Sequence, residues 1–388
     1  MPPKHANIHR GARQMDVALL AAALLLVVYG LVMVLSSSAF WAEKRVDDAF
    51  YFFSRQCVFA GLGLIAMGIA SRFHFSNYRK LVYPLLVFTA LLLSLVLVPG
   101  FSDRTLGAKR WLALGPFHLQ PSELAKFAVI NYVAYSLTKP KAQGEGFMIE
   151  YFRHLMIPLV VLTLIVVEPD FGTAFLILFA AMLTLVVAGS PLRYPMAMGA
   201  AAVPFLALLL AVFPHGMMRL RNFVDQIKFI GSEGDYSLLC YQVRESVISL
   251  GSGRLWGMGL GDGTLKMFFL PQAHSDFILA TLGQELGFAG VAALFVLFGL
   301  LLARGYQIAY RVPDTFGCYL AFGITTILML QILINVGVVL GVLPPKGIAL
   351  PFISYGGSSL VVALFMVGIL LNISRHTVNF VNPKRGAP

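Results

Sequence analysis

One carboxylate in this sequence lies where a polar stretch meets a long apolar run. Asp276 comes two residues after His274, and the apolar run opens at Phe277. An acid at the junction of a loop and a membrane span is partly desolvated and is held by a rigid helix start, which suits it to proton transfer. Asp is also a favoured N-cap residue, so the alternative is that Asp276 only caps the following helix. His274 is a second candidate base, although a histidine in such a place is more often structural.

Four further polar clusters flank apolar runs and supply groups that could meet an anionic ligand. Their candidate residues are Lys109, Arg110, Glu123, Glu168, Asp170, Gln242, Lys346 and Ser358. Lys109, Arg110 and Lys346 could neutralise phosphate through charge-assisted hydrogen bonds. Because glycine and proline interrupt the backbone near several of these clusters, the pattern indicates a cationic cavity that suits an anionic headgroup on a lipid tail.

Structural interpretations compete with these functional ones. Lys109 and Arg110 stand beside Trp111, which is typical of residues that anchor a span end at the membrane interface. Glu123 fits the first turn of a helix that begins near Pro121. The sequence alone leaves both interpretations open at these positions.

Glu168 and Asp170 lie where two apolar runs join. A carboxylate within a membrane span costs at least ~2.5 kcal/mol on insertion scales, so it usually has a partner or a function. The structural alternative is an ion pair with Arg or Lys of another helix. Ser358 belongs to the small-residue run 356–359, which could simply allow two helices to pack closely.

The composition is that of a membrane protein. Of the 388 residues, 58% are hydrophobic and only 12% are charged, about half the charge of a soluble protein; the mean hydropathy is +0.80. Apolar runs near the ~20 residues that a bilayer requires recur along the chain, which predicts an all-α polytopic fold in one domain, 1–388. A large loop, 214–276, precedes the eighth span. The predicted spans are 17–35, 56–71, 81–99, 122–138, 153–168, 171–189, 194–213, 277–303, 315–341 and 358–374.

The distribution of Lys and Arg gives the predicted orientation. Ten spans put both termini on the same side, and the short loops on that side carry more Lys and Arg than those opposite. The positive-inside rule therefore places both termini in the cytoplasm and the 214–276 loop outside. The net charge of +11 is spread over short loops, which indicates contact with anionic membrane lipids and not with nucleic acid. Cys57, Cys240 and Cys318 show neither metal-binding spacing nor a disulfide framework.

Five segments of the chain resemble the SEDS family (shape, elongation, division and sporulation), which includes FtsW, RodA and SpoVE. They occur in the family's order and are distributed over most of the chain. Two further segments, 259–261 and 345–347, are more similar to FtsW and SpoVE than to RodA. The five segments are Gly-Ala-Lys-Arg-Trp at 107–111, Gln-Pro-Ser-Glu at 120–123, Glu-Pro-Asp-Phe-Gly-Thr at 168–173, Leu-Pro-Gln-Ala-His-Ser-Asp-Phe-Ile at 270–278 and Pro-Phe-Ile-Ser-Tyr-Gly-Gly-Ser-Ser at 351–359.

The resemblance implies a ten-span enzyme of the bacterial inner membrane, a peptidoglycan glycosyltransferase that serves cell division or cell-wall synthesis. Such a protein would polymerise lipid II, a disaccharide-pentapeptide on undecaprenyl pyrophosphate. It would work with a class B penicillin-binding protein and other division or elongation proteins. Asp276 corresponds to the family's essential aspartate, and a divalent cation (Mg²⁺ or Mn²⁺) is implicated for some members.

The chemistry of such an enzyme can be carried by one carboxylate. Its leaving group is pyrophosphate, which needs charge stabilisation, whereas the leaving group of an inverting glycosidase must also be protonated. Asp276 would take the proton of the acceptor sugar's 4-hydroxyl. The expected substrate-binding residues are Lys109, Arg110, Glu123, Lys346 and Ser358, and the expected supporting residues are Glu168, Asp170, His274 and Gln242.

Three positions depart from the family pattern. Gln272 and Gln284 stand where the family has Glu, and Ser275 stands where it has Thr. The two missing acids argue against a metal held at this place. Two other functions stay open: a transporter that flips lipid II without making bonds, and a scaffold that recruits a transpeptidase.

Overall fold

The computed structural model describes most of the chain as a bundle of helices. The described residues are 8–9, 14–103, 110–114, 117–139, 147–193, 196–197, 238–261, 274–344 and 346–380. The helices in this part of the chain are α1 (Val17–Val46), α2 (Tyr51–Arg72), a 3₁₀ turn (Phe75–Arg79), α3 (Val82–Leu97), α4 (Pro121–Ser136), α5 (Phe147–Val167), α6 (Phe171–Val187), α7 (Leu238–Ser252), α8 (Ile278–Arg311), α9 (Thr315–Val339) and α10 (Gly357–Ser374).

The predicted spans agree with these helices wherever the two can be compared. Each predicted span except 194–213 coincides with one helix, and all of 194–213 except residues 196–197 lies outside the described residues. By length and composition, five helices are long and apolar enough to cross a membrane, namely α1, α2, α8, α9 and α10. Shorter apolar helical segments form α3, α6 and the C-terminal part of α5. The fold is therefore that of an all-α polytopic membrane protein, as predicted. Helices suit a bilayer because each satisfies its backbone polar groups within one segment.

Helix α4 lies at the centre of the bundle. Fourteen of its sixteen residues are buried, including the charged Glu123 and Lys126. The ionisable side chains that lipid would exclude are therefore enclosed by the surrounding helices.

The predicted loop 214–276 contains a helix that was not predicted from the sequence. Residues 238–252 form α7, which packs against α8 and α9. The hydroxyl of Ser246 donates to the carbonyl of Val339 in α9 at 2.6 Å. Most of the remaining loop lies outside the described residues, so its size and side of the membrane stay predictions.

Helices α2 and α10 approach each other at glycines. A Cβ on Gly63 of α2 would lie 2.6 Å from the Leu364 side chain, and one on Gly368 of α10 would lie 2.5 Å from the carbonyl oxygen of Met67. Small residues permit such close backbone packing between membrane helices, where dispersion rather than water exclusion drives association.

Helix α8 is kinked at Gly287, whose backbone (φ 65°, ψ −165°) is not helical. The chain after α7 satisfies the backbone groups that the kink leaves open. The N–H groups of Met258 and Gly259 donate to the carbonyls of Gln284 and Glu285 at 3.0 and 3.1 Å. The short buried segment before the kink, which follows Asp276, is thereby fixed to the rest of the bundle.

A small antiparallel sheet precedes α4. Its strands are β2 (Ser102–Asp103), β3 (Trp111–Leu114) and β4 (Phe117–Leu119), whereas β1 (Ile8–His9) and β5 (Asn379–Phe380) pair near the two termini. Arg110 immediately precedes β3, and Gln120 immediately follows β4. The sheet therefore holds both residues close to the start of α4.

Two ion pairs join helices at the end of the bundle opposite Asp276. Asp16, which caps α1, meets Arg304 of α8 at 2.6 Å. Asp314, which caps α9, accepts two bonds from Arg79 at 2.6 and 2.7 Å. Each carboxylate thus serves both as a helix cap and as a link between helices.

Gly30 of α1 supports the backbone of the loop before α10. Phe352 in that loop has φ 67°, a strained value for a residue with a side chain. A Cβ on Gly30 would lie 2.1 Å from the Phe352 carbonyl oxygen. The strained turn therefore depends on a glycine in a distant helix.

We predict that Gly30→Ala destabilises the protein, although Ala is favoured over Gly within a helix by up to about 1 kcal/mol. The new methyl group would force α1 away from the Phe352 backbone, and thermal unfolding in detergent should show a lower Tm. Gly61→Ala in α2 is the control, since a Cβ there meets no atom within 4 Å. It should leave the Tm unchanged or raise it. Equal Tm values for the two variants would contradict the close contact.

Candidate functional site

Three successive backbone carbonyls around Asp276 are held by residues from far along the chain. Each accepts one hydrogen bond, and the three donors come from α9 and from the loop before α10. The bonds are His274 O from the Tyr355 N–H at 2.9 Å, Ser275 O from the Ser354 hydroxyl at 2.6 Å and Asp276 O from the Asn335 side-chain amide at 2.9 Å. The backbone that carries Asp276 is therefore fixed residue by residue.

The segment that supplies two of these donors is itself well supported. The Ser354 hydroxyl accepts from the Leu350 N–H at 2.8 Å. The Ser354 carbonyl accepts from the Gln56 side chain of α2 at 3.2 Å. Because Ser354 is 3% exposed, these bonds form away from competing water and hold the segment firmly.

The Asp276 carboxylate lies against Gly347. A Cβ on Gly347 would be 2.9 Å from Oδ2 of Asp276. The residue as a whole is partly exposed. Burial of the carboxyl raises its pKa from 3.8 to about 6, and the nearby Arg110 guanidinium opposes part of that rise. Asp276 is therefore mostly ionised at neutral pH, yet it is a stronger base than an ordinary aspartate.

Asp276 does not cap the helix that follows it. Helix α8 begins at Ile278 with Phe277 at the N-cap, and the cap has no side-chain hydrogen bond. The capping interpretation of Asp276 is therefore wrong. Its side chain is held at the helix start without being used by the helix.

The His274 ring packs among aromatic rings. Its centroid lies 4.7 Å from that of Phe52, 5.6 Å from Trp41 and 5.7 Å from Tyr355. Burial lowers the pKa of His274 from 6.5 to about 4, so the ring is neutral at pH 7. These contacts favour the structural interpretation of His274, which anchors the segment two residues before Asp276.

Arg110 reaches the joint between α5 and α6. Its guanidinium donates to the backbone carbonyls of Glu168, at 3.3 Å, and Pro169. The same guanidinium influences the pKa values of both Asp276 and Glu168. Arg110 thus places positive charge near two carboxylates that are distant in sequence.

Glu168 is buried in the joint between α5 and α6, outside both helices, and is 0% exposed. Burial, together with the neighbouring Asp170, raises its pKa from 4.5 to about 8, and Arg110 opposes the rise. Neither carboxyl oxygen has a hydrogen-bond partner among the described residues. The structural interpretation of Glu168 predicted an ion pair with Arg or Lys. Arg110 instead donates to backbone carbonyls here and not to the Glu168 carboxylate.

Asp170 has a structural task. It caps α6 by accepting from the Thr173 N–H at 3.3 Å. Its other oxygen lies 3.3 Å from the Ser122 hydroxyl and 3.4 Å from the Gln120 side-chain amide. The start of α6 is therefore joined to the start of α4.

Lys346 and Ser358 lie at the same end of the bundle. The Lys346 amino group is 5.9 Å from the centre of the Phe175 ring, and its chain passes the first turn of α6 near Gly172. The Ser358 hydroxyl donates to the His118 carbonyl and accepts from the Gln120 N–H, both at 3.1 Å. Ser358 thus joins α10 to β4 rather than only allowing close packing.

The remaining predicted residues are placed less directly. Glu123 forms a buried 2.7 Å ion pair with Lys126 inside α4. Gln242 lies partly buried on α7, and the described residues give it no hydrogen bond. Lys109 and Gln272 lie outside the described residues, so their contribution stays a prediction.

No metal cluster appears in the described part of the chain. There, no three His, Cys, Asp or Glu side chains come together in a way that could hold an ion. Glu168 and Asp170 are adjacent, but Asp170 already accepts hydrogen bonds at both oxygens. The donor set therefore does not make a resident metal site among these residues.

The residues that position Asp276 were not among those predicted from the sequence. Asn335 and Gln56 are buried polar residues within apolar runs, at 1% exposed each, and Ser354 lies in a segment already noted for its glycines. A signal was present, because a polar side chain within a membrane span usually has a partner. Their partners are backbone carbonyls of other segments, which sequence spacing does not reveal.

The fold and this cluster define a class of protein: a polytopic membrane protein with a carboxylate and cations gathered at one end of its helices. The model of the FtsW, RodA and SpoVE family, which is described as "Cell cycle protein", matches residues 16–379 of this chain. The chain belongs to this family, as its sequence motifs predicted.

Individual relatives agree along nearly the whole chain. "Probable peptidoglycan glycosyltransferase FtsW" of Geobacter sp. (strain M18) is 41% identical over 359 residues, covering 92% of this chain and 96% of that protein. "Stage V sporulation protein E" of Bacillus subtilis (strain 168) is 37% identical over 363 residues, covering 93% and 97%.

Solved structures show the same fold. A chain from work described as "Structural coordination of polymerization and crosslinking by a peptidoglycan synthase complex" has a TM-score of 0.74 at 29% identity, covering 93% of this chain and 98% of that one. The rod shape determining protein RodA of Thermus thermophilus has a TM-score of 0.67 at 29% identity, covering 93% and 97%.

We predict that Asp276→Asn stabilises the folded protein at pH 8 but not at pH 4. The native state holds the Asp276 proton more tightly than the unfolded chain, so stability falls as pH rises from about 4 to about 6 and stays lower above that range. Removing the charge should recover on the order of 1–3 kcal/mol, a range that allows for partial exposure.

Chemical denaturation in detergent at the two pH values measures this difference. Glu43→Gln, which alters an exposed carboxyl of α1, is the control and should change stability little at either pH. A stabilisation by Asp276→Asn of equal size at both pH values would show that the pKa of Asp276 is not raised.

Proposed function

We propose that this protein is a peptidoglycan glycosyltransferase that polymerises lipid II into glycan strands, with Asp276 as the general base. The observation that carries the proposal is the Asp276 carboxylate itself. The residue as a whole is partly exposed, its carboxylate is not used as a helix cap, and burial raises the pKa of that carboxyl to about 6. The names of the relatives support the same activity, since the relative from Geobacter sp. (strain M18) is named "Probable peptidoglycan glycosyltransferase FtsW".

The base acts on the acceptor sugar. Forming a β-1,4 link from an α-linked donor inverts the anomeric carbon, so the acceptor 4-hydroxyl attacks from the face opposite the pyrophosphate. Its oxygen forms the new bond to the anomeric carbon while the bond to the pyrophosphate oxygen breaks. Asp276 takes the hydroxyl proton, which makes the oxygen a better nucleophile as the bond forms.

The leaving pyrophosphate needs cations rather than an acid. Its negative charge grows as the glycosidic bond breaks, and positive side chains nearby lower the energy of that transition state. Arg110 is within electrostatic reach of Asp276, and Lys346 is the residue before Gly347, which contacts the carboxylate. We assign these two residues to the pyrophosphate, with Lys109 as a further candidate outside the described residues.

A pKa of about 6 suits this role. The group must be ionised to accept a proton, and it must hold that proton well enough to favour the transfer. An ordinary aspartate is almost fully ionised at pH 7 but is a weaker base. Partial burial of Asp276 moves its pKa toward neutrality without leaving it protonated.

The divalent cation expected from the family is assigned mainly to the substrate. Mg²⁺ commonly binds phosphate oxygens and water with only one or two carboxylates. Since no three-donor cluster occurs among the described residues, the pyrophosphate would supply most of its ligands. The proposed chemistry at Asp276 does not depend on this ion.

We further propose that the protein works in the bacterial inner membrane with a class B penicillin-binding protein as its transpeptidase. One of the similar solved structures comes from a peptidoglycan synthase complex that is described as coordinating polymerization and crosslinking. The distribution of Lys and Arg supports cytoplasmic termini. That orientation would place Asp276 on the outer side, where lipid II is consumed.

We predict that Asp276→Asn abolishes polymerisation of labelled lipid II by the purified protein with its transpeptidase. Asn keeps the side-chain shape but cannot accept the proton, and loss of a general base costs about 10²–10⁴-fold. Gel analysis of labelled glycan measures the product. For the wild type, the rate should fall as pH drops through about 6, where Asp276 becomes protonated.

The controls separate catalysis from folding and transport. Asp48→Asn alters an exposed carboxyl in the turn between α1 and α2, and it should polymerise lipid II normally. Full activity in folded Asp276→Asn would contradict the base assignment. If the wild type made no polymer but moved lipid II across vesicles, the transporter alternative would replace the glycosyltransferase.

A further inference from the structure

We infer that Asn335 is a positioning residue for polymerisation, because its one side-chain amide fixes both Asp276 and the backbone beside the Asp276 carboxylate. Asn335 lies on α9, one turn before the helix ends at Val339. The inference rests on the proposed function of Asp276. It assigns to Asn335 no contact with the substrate.

The geometry places Asn335 between two segments. Its Nδ2 atom donates to the Asp276 carbonyl at 2.9 Å and to the Ile348 carbonyl at 2.8 Å. Ile348 directly follows Gly347, the residue against the carboxylate. A single amide therefore holds the backbone that carries the base and the backbone that limits where its carboxylate can lie.

The amide is oriented by its partners. Both partners are carbonyl oxygens, which only accept hydrogen bonds, so the NH₂ group must face them. Oδ1 then has no partner among the described residues, although Asn335 is only 1% exposed. A buried acceptor without a partner costs stability. The residue is thus better explained by the position it enforces than by the stability it adds.

Loss of Asn335 should act on Asp276 in two ways. The two segments could separate, which would let the carboxylate move from its position near Gly347. Water could also enter between them, and hydration would favour the ionised form of Asp276. The first change slows the reaction, and the second moves the acid limb of its pH profile to lower pH.

Asn131 provides a matched control. It is also a fully buried asparagine in a helix, its Nδ2 donates to the Tyr78 carbonyl at 3.1 Å, and its Oδ1 has no described partner. Tyr78 belongs to the 3₁₀ turn Phe75–Arg79, near the ion pair of Arg79 with Asp314 and so far from Asp276. Asn131→Ala removes the same kind of bond without touching the site.

The experiment compares wild type, Asn335→Ala, Asn335→Ser and Asn131→Ala in complex with the transpeptidase. Lipid II polymerisation gives kcat, KM and the pH profile, and hydrogen exchange follows the amides of 274–277 and 346–350. For Asn335→Ala we expect kcat to fall about 100-fold, as a small displacement of a reacting group can do, with KM within about threefold. Its acid limb should move from about 6 toward an ordinary value near 4.

Hydrogen exchange and the other two variants give further expected results. Exchange in both segments should accelerate at least about 10-fold in Asn335→Ala, since local opening controls exchange there. Asn335→Ser, whose hydroxyl can donate to one carbonyl, should lose less activity than Asn335→Ala. Asn131→Ala should keep the wild-type kcat, acid limb and exchange of both segments in the folded fraction.

Several outcomes would overturn the inference. One is a folded Asn335→Ala protein with wild-type kcat and acid limb. Another is a loss of kcat without faster exchange of either segment. Failure of both Asn335 variants to fold while Asn131→Ala folds would make Asn335 a purely structural residue. A wild type that forms no polymer would instead refute the proposed function, and the exchange data would still report whether Asn335 holds the two segments.

Discussion

The structure of the site depends on the close contact between the Asp276 carboxylate and the backbone of Gly347. This contact is possible because glycine has no side chain. A partly buried carboxylate is unfavourable because it loses hydration. The protein keeps Asp276 in place through bonds to the three successive backbone carbonyls of 274–276, with donors from Asn335, Ser354 and Tyr355 at 2.6–2.9 Å. The carboxylate itself is left to react. Fixing the chain and not the carboxylate allows a group to be both well placed and basic.

The helices supply this arrangement from several distant parts of the sequence. Helix α9 carries Asn335, and α2 carries Gln56, which bonds the Ser354 carbonyl. Helix α1 accommodates the strained Phe352 backbone through Gly30. Polar side chains within apolar helices are costly in a membrane. Here the buried polar groups of α2 and α9 meet loop carbonyls, which lie at the end of the bundle where the chain is not helical.

The sequence predicted the helical fold well because hydropathy reports spans directly: α8 and α9 coincide with predicted runs. It singled out Asp276 because this carboxylate lies in a family motif at the junction of a polar stretch and a long apolar run. It could not reveal that Asn335 bonds Asp276, since 59 residues separate them and only the folded bundle brings them together. It also missed α7 within the predicted loop. That helix packs on α8 and α9, and such tertiary support leaves little trace in local hydropathy.

The most direct test of the account measures the polymerisation rate of folded Gly347→Ala beside Gly356→Ala. A Cβ at Gly347 would lie 2.9 Å from Oδ2 of Asp276, whereas one at Gly356 meets only atoms 3.7 Å away or more. Displacement of the carboxylate predicts a rate at least about 100-fold lower for Gly347→Ala, with Gly356→Ala near wild type. A wild-type rate for Gly347→Ala would show that catalysis does not depend on where this contact holds Asp276.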